Sequence, residues 1–440
     1  MRAWLRRWAN TPLRPLPAAQ RPPLWALGAA VAVLTWLQMV RRPAPPPVWD
    51  SLYVEDGQVF LATALADDLW DALATSYYGY LHTAPRLIAE ASTAVSIERA
   101  PLVTSLLTTL TVALLAVFVF LASAAWIRSA VLRGALAVAF VLLPVTARDI
   151  VGTVANLHWF LVYAAFWAVV CPWRTRGWLA ASTAVVGLAV LSDPLTGVLL
   201  PLAVAFAVRS RAERRAWLMP ALVVAGLLAQ LVLRDDSAEP FGSLDAGAVP
   251  RIFAERVTSS LLAGDRYLHG LFGGHTGSPF AWASLAVVAG AVGFGLWRLR
   301  GRRAWLLGGG AALSLVFFLI PVVSRGTSVF APDEPWVVGA SRYVYLPVMF
   351  LLTGLLAAVD RDAAEARRPP WRELAVALAV LAVVAVNYRA PSRTQDGPRW
   401  GPAVRQARAD CRTRPPGATA VIPIIQPEIW YVAVSCSQLR

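Results

Sequence analysis

The chain has 440 residues, of which 58% are hydrophobic and 15% charged, with 19 tryptophans and a formal net charge of +14. That departs from water-soluble domains toward a chain dissolved in lipid, and it excludes an ordinary globular enzyme. All 40 basic residues are Arg; they punctuate apolar runs and form no dense stripe interleaved with aromatics, so the charge is not that of a nucleic-acid groove.

Residues 1–23 are a basic, cytoplasmic N-terminal segment (Arg2, Arg6, Arg7, Arg14, Arg21), followed by an apolar run without a small-residue cleavage site, which reads as an uncleaved first span. A span needs about 20 apolar residues, because each helical residue rises about 1.5 Å across a core of about 30 Å. On that rule about eleven spans fall near 24–40, 101–126, 134–147, 157–171, 178–192, 195–208, 216–233, 280–297, 304–320, 342–359 and 374–388. The fold class expected is an all-α polytopic membrane protein with a transmembrane domain over 24–388.

Arginines in the short loops set the orientation: Arg128 and Arg133; Arg174 and Arg176; Arg209 to Arg215; Arg298 to Arg303; Arg361 to Arg372. All fall on the side of the N-terminus. Acidic residues were not used, yet all except Glu213, Asp360, Asp362, Glu365 and Glu373 then land on the opposite, outer side. The expectation is a multi-pass plasma-membrane protein with a cytoplasmic N-terminus and an extracytoplasmic C-terminus.

Four spans (134–147, 157–171, 178–192, 195–208) are short for the hydrocarbon core, so their outer turns, 148–156 and 193–194, are expected to be recessed. A single helix over 178–208 competes with the hairpin, but would put Arg174 and Arg209 on opposite sides. Outer segments remain at 41–100, 234–279, 321–341 and 389–440. Within the first, 57–75 and 84–98 read as surface helices.

The strongest chemical feature is Tyr53-Val-Glu55-Asp56-Gly57, just outside the first span, followed by Tyr77-Tyr-Gly-Tyr80-Leu-His82 and Pro85-Arg86. On these residues the chain resembles the GT-C superfamily, membrane glycosyltransferases that take a sugar from a polyprenyl-phosphate carrier. The resemblance implies surface helices and an essential acidic residue in the first outer loop, and inversion at the anomeric carbon. Asp56, or Glu55, would then be the general base that deprotonates the acceptor hydroxyl. Glu55-Asp56-Gly57 can equally cap a surface helix, and the two roles are compatible.

A phosphate-linked donor needs cations near the outer interface, for which Arg86, Arg325 and Arg342 are candidates, with Tyr343 beside the last. Interfacial anchoring is the competing role for Arg342 and Tyr343. The recessed turns add Arg148, Asp149, Asn156 and His158, and Asp193 before Pro194, as sugar or phosphate contacts; a local salt bridge, a satisfied histidine and a helix cap are the alternatives. Tyr80 and His82 complete the substrate-binding set.

The histidines lack the i, i+4 spacing of a zinc motif, so no cofactor is certain; a divalent cation (Mg or Mn) held by Asp56 and a donor phosphate is an open possibility. Cys411 and Cys436 share the C-terminal tail, where a disulfide would staple a small outer appendage by about 3 kcal/mol. Expected partners are a polyprenyl-phosphate-linked sugar, membrane lipid and an envelope acceptor, with no nucleic acid. A transporter or lipid flippase is the rival class, although mid-span positions are almost free of charge; a non-catalytic subunit of an envelope-assembly complex is the third.

Overall fold

A computed structural model describes residues 22–41, 46–146, 150, 152–171, 175–210, 214–235, 242–264, 278–330, 341–361, 369–389, 397–415, 417–425 and 429–439. Arg148, Asp149, His269 and His275 lie outside the described residues. The chain is a polytopic α-helical membrane protein. Apolar helices follow the predicted segments in order: α1 (Leu24–Met39), α5 (Ala100–Ala122), α6 (Ala130–Leu142), α7 (Leu157–Val170), α8 (Arg176–Ser192), α9 (Leu200–Arg209), α10 (Leu218–Val232), α13 (Pro279–Arg298), α14 (Gly301–Arg325), α15 (Ser341–Val359) and α16 (Trp371–Val386). The first loop supplies three short helices, α2 (Ala62–Ala66), α3 (Leu69–Ala74) and α4 (Thr83–Thr93), and a later loop supplies α11 (Val249–Phe253) and α12 (Ser259–Ala263).

Helix α7 explains how a short span is tolerated. Its 14 residues are all buried, so the length it lacks is never presented to lipid, where an unsatisfied backbone group would be costly. Around it pack α4, α5, α8, α9 and α15, and the Phe140 ring of α6 meets Phe160 at 5.3 Å. The tightest crossing is α14 on α15. A Cβ at Gly310 would lie 2.5 Å from the Phe350 carbonyl oxygen, and one at Gly354 would lie 3.1 Å from the Leu307 backbone. Small residues here let two backbones touch, which is how helices associate where lipid removes the hydrophobic drive.

The segment 178–208 is a hairpin. Asp193 is extended (φ −159°) and ends α8. At that end, Thr83 Oγ1 donates to the Leu191 carbonyl at 2.9 Å and the Ala84 N–H donates to Ser192 Oγ at 3.0 Å, so it touches the first loop. Near the far end of α9, the Phe206 ring lies 6.0 Å from both Trp126 and Trp305, which stack on each other at 4.6 Å. Those tryptophans mark the opposite face of the bundle. A merged helix is therefore excluded. On that opposite face the buried Asp360 carboxylate accepts the N–H groups of Arg128 and Ser129 at 2.9 and 3.0 Å and pairs with Arg302 at 3.1 Å.

The C-terminal tail folds into helix α17 (Trp400–Cys411), an antiparallel hairpin of β1 (Thr419–Pro423) and β2 (Tyr431–Ser435), and a terminal turn, α18 (Cys436–Leu439). Alternation along both strands turns Ala420, Ile422, Val432 and Val434 inward. A disulfide joins Cys411 to Cys436, with Cα atoms 5.3 Å apart. The appendage sits on the first loop: Trp400 Nε1 donates to the Ile97 carbonyl at 2.7 Å, the Gly401 N–H donates to Asp50 Oδ1 at 2.9 Å, and Arg408 pairs with Glu98.

Candidate active site

Residues from four distant parts of the chain line a cavity of about 240 Å³ on the face that carries the first loop. That is near the lower end of ligand-pocket volumes, which begin at about 300 Å³. The first loop contributes Glu55, Phe60, Tyr77, Tyr78, Tyr80 and His82; the start of α7 contributes Asn156, His158 and Trp159; the α8–α9 turn contributes Asp193; and the facing ends of α14 and α15 contribute Ser324, Arg325, Arg342 and Tyr343.

The acidic pair divides between two tasks. Consecutive helical residues point about 100° apart, so Glu55 and Asp56 cannot share a direction. Asp56 is 3% exposed and turns inward. Its Oδ2 accepts the Val154 N–H at 3.0 Å and its Oδ1 accepts the Ala155 N–H at 2.9 Å. It holds the turn before α7 against the first loop and is not among the residues that line the cavity. Glu55 does line it. Its Oε1 lies 4.0 Å from Arg342 Nη1, and its buried Oε2 has no hydrogen-bond partner among the described residues.

A tight turn shapes the aromatic wall. Tyr77 and Tyr80 exchange backbone hydrogen bonds at 2.9 and 3.4 Å across Tyr78 and Gly79, which have φ values of 51° and 80°. Positive φ at both central residues is the primed two-residue turn that suits right-twisted antiparallel pairs. Gly79 takes this conformation freely, whereas Tyr78 is held in the left-handed region at a steric cost. The Tyr78 ring lies under the Arg325 guanidinium at 5.8 Å, within cation–π range.

His82 stacks on Tyr80 at 4.2 Å and its Nδ1 lies 3.1 Å from the Tyr80 carbonyl, to which it donates when protonated there. Burial, and then the neighbouring His158, press its pKa well below the ordinary histidine value, so it is neutral at physiological pH. Burial, followed by Asp193 and Tyr343, raises the pKa of the Tyr80 phenol, which keeps its proton. His158 Nδ1 lies 3.0 Å from Asp193 Oδ2, with both side chains buried, while Asp193 Oδ1 caps the next turn by accepting the Leu195 N–H at 2.8 Å.

Of the residues expected from sequence, Glu55, Tyr80, His82, Asn156, His158, Asp193, Arg325, Arg342 and Tyr343 are brought together here. Arg86 is not among the lining residues. It is buried behind the wall, over the Phe60 ring at 5.7 Å, and burial lowers its pKa to about 10 against the opposing pull of Asp67. Its Nε and Nη1 find no hydrogen-bond partner among the described residues. Tyr77 and Tyr78 belong to the motif that carries the resemblance but were not assigned to the substrate-binding set, and neither were Trp159 and Ser324. The Tyr78-Gly79 pair between aromatic residues was a readable turn signal that would have found the first two.

Beside the cavity, an apolar groove of about 520 Å³ runs between α11, α13 and α14, walled by Phe253, Val288, Leu315, Phe318 and Leu319 among others. Leu319 on the groove and Ile320 on the cavity are neighbours on α14. Among the described residues no cluster of three or more His, Cys, Asp or Glu side chains is arranged to hold a metal ion.

No protein-family model matches the chain, and no curated protein does. Among solved structures it is similar to the arabinofuranosyltransferase AftD from Mycobacteria, with 18% identity and a TM-score of 0.48 over 91% of this chain. The chain spans 31% of the length of that protein. It is also similar to ArnT from Cupriavidus metallidurans, solved bound to undecaprenyl phosphate, with 14% identity and a TM-score of 0.32 over 94% of this chain and 98% of that one.

Proposed function

We propose that the protein transfers a sugar from a polyprenyl-phosphate carrier to an acceptor hydroxyl of an envelope glycan, lipid or protein, on the outer face of the membrane. The observation that carries this reading is the pairing on α14: one end of the helix bears Arg325 in a cavity with Glu55 and Arg342, and the preceding turns wall an apolar groove. A ligand that fits both has an anionic head, a polar body and a long apolar chain. A sugar on a polyprenyl phosphate has all three.

In this reading Glu55 is the general base, in place of Asp56, whose two oxygens already accept N–H groups. The acceptor oxygen attacks the anomeric carbon while its proton passes to Glu55. The bond from that carbon to the phosphate oxygen breaks, and its electron pair leaves on the carrier phosphate. Arg325 and Arg342 neutralise the charge that develops there, with planar guanidinium forks suited to phosphate oxygens. Because the phosphate is a good leaving group, no separate acid is required, and a single displacement inverts the anomeric centre.

His158, held by Asp193, and the Tyr80–His82 stack form the wall against which the sugar packs. A divalent cation, if one takes part, would rest on Glu55 and the phosphate oxygens. The arginine-rich short loops support an outer position for the cavity, and the Cys411–Cys436 bridge, on the same side, suits an oxidising compartment.

The test is a pair of isosteric substitutions assayed with a synthetic polyprenyl-phosphate sugar in nanodiscs. Glu55→Gln is expected to lower kcat by about 10²- to 10⁴-fold with unchanged thermal stability. Asp56→Asn is expected to lower stability, because one N–H donor would then face an amide NH2 group. Full turnover by Glu55→Gln removes the assignment of the base.

A further inference from the structure

We infer that the C-terminal appendage is a positioning element of the active site. Ile424 and Val432, pressed against Gly57, hold the turn that aims Glu55, and the Cys411–Cys436 bridge keeps them there. This rests on the role proposed above for Glu55.

The backbone from Asp56 to Leu61 is wound as a π-helix, with one more residue per turn than an α-helix. Such wide turns are rare, cost backbone packing, and collect at functional sites. Gly57 is the second residue of this turn and is buried. A Cβ there would lie 2.9 Å from Ile424 Cδ1 and 3.0 Å from Val432 Cγ2. The appendage therefore touches the loop backbone two residues from the catalytic carboxylate, with no side chain between. At the other end of the same turn, Leu61 is 1% exposed within the cluster formed by Trp400, Ile422 and Val434. The turn is thus clamped at both ends by residues from the appendage.

The bridge closes this clamp. Both cysteines are fully buried, and Cys436 directly follows β2, the strand that carries Val432. It ties that strand to α17, which is separately fastened to the first loop through Asp50, Ile97 and Glu98. Without the bridge, β2 would keep its pairing with β1 and its apolar contacts but lose its covalent tie to α17, and a two-stranded hairpin has little stability of its own in water. The donor phosphate would be unaffected, because Arg325 and Arg342 belong to α14 and α15. Loss of the clamp should therefore appear in kcat and spare KM.

The experiment uses the full chain in nanodiscs, as wild type and as the Cys411→Ser, Cys436→Ser double variant, with hydrogen–deuterium exchange beside the transferase assay. The expected result is faster exchange in peptides covering 53–61, unchanged exchange in α14 and α15, a kcat lowered about tenfold to a hundredfold, and a donor KM within about twofold. Independently of the bridge, Gly57→Ala should lower kcat, and Ile424→Val, which removes the nearer of the two crowding methyl groups, should partly restore it in the double variant. Exchange over 53–61 that ignores the bridge, or a Gly57→Ala defect that Ile424→Val does not relieve, overturns the proposal. If wild type itself transfers no sugar, the proposed function fails on that result alone, and the exchange data still decide whether the bridge holds the turn.

Discussion

At His82, burial, and then His158 and more weakly Arg86, leave the imidazole neutral when folded, while the unfolded chain restores its ordinary pKa of about 6.5. The folded pKa is the lower one, so below about pH 6.5 the unfolded state binds a proton that the folded state refuses. Stability is therefore complete above that pH and falls as pH drops toward the folded pKa, by about 1.4 kcal/mol per pH unit at most. Thermal melts in detergent from pH 7.5 to 5 should show this loss, and His82→Gln should flatten it; equal acid sensitivity in both proteins would remove His82 as the cause. At this scale the sequence supplied the right residue types and not their directions. Glu55 and Asp56 read alike on paper, and only the N–H groups of Val154 and Ala155 tell which carboxylate anchors and which faces the cavity. Arg86 carried the right chemistry but is turned behind Phe60.

Among the elements, the crossing of α14 and α15 is the least forgiving. Gly310→Ala would drive a methyl group to 2.5 Å from the Phe350 carbonyl oxygen, a backbone atom that cannot rotate away. Overpacking of that kind costs about 1–3 kcal/mol. Its neighbour Gly309 has nothing within 4 Å, so Gly309→Ala is the matched control. A lower melting temperature for the first and none for the second is expected; equal effects would mean that the crossing is looser than the backbone separation implies. The spans themselves were legible because apolar length is local information, and so was the break at Asp193-Pro194. The π-helix over Asp56–Leu61 was not, because its extra residue per turn is held by Ile424 and Val432, far along the chain. The same holds for the cavity, whose walls meet only after the bundle has formed.

For the whole molecule, the two faces are chemically distinct. One carries the cavity, the first loop and the disulfide-bridged appendage; the other carries the Asp360 latch and the exposed Arg300. Single cysteines at Thr75 and Arg300, both exposed, should react oppositely with a membrane-impermeant maleimide in intact cells: Thr75→Cys labelled directly, Arg300→Cys only after permeabilisation. The reverse pattern would put the cavity on the cytoplasmic leaflet and end the proposed function. This orientation came from arginines alone, a bulk property that needs no tertiary contact, which is why it could be argued before any fold was known.

Helix α14 finally acts as a ruler. From Leu319 on the groove to Arg325 in the cavity is six residues, or about 9 Å of rise, with Pro321 between them. Were a carrier to lie along it, the offset between its first isoprene units and its charged end would be gauged by one covalently continuous rod, indifferent to breathing between domains. Recognition of how a lipid leaves its phosphate would then be a property of helical pitch, and a one-residue insertion between the two positions would lengthen the offset by about 1.5 Å and swing Arg325 about 100° away from the cavity.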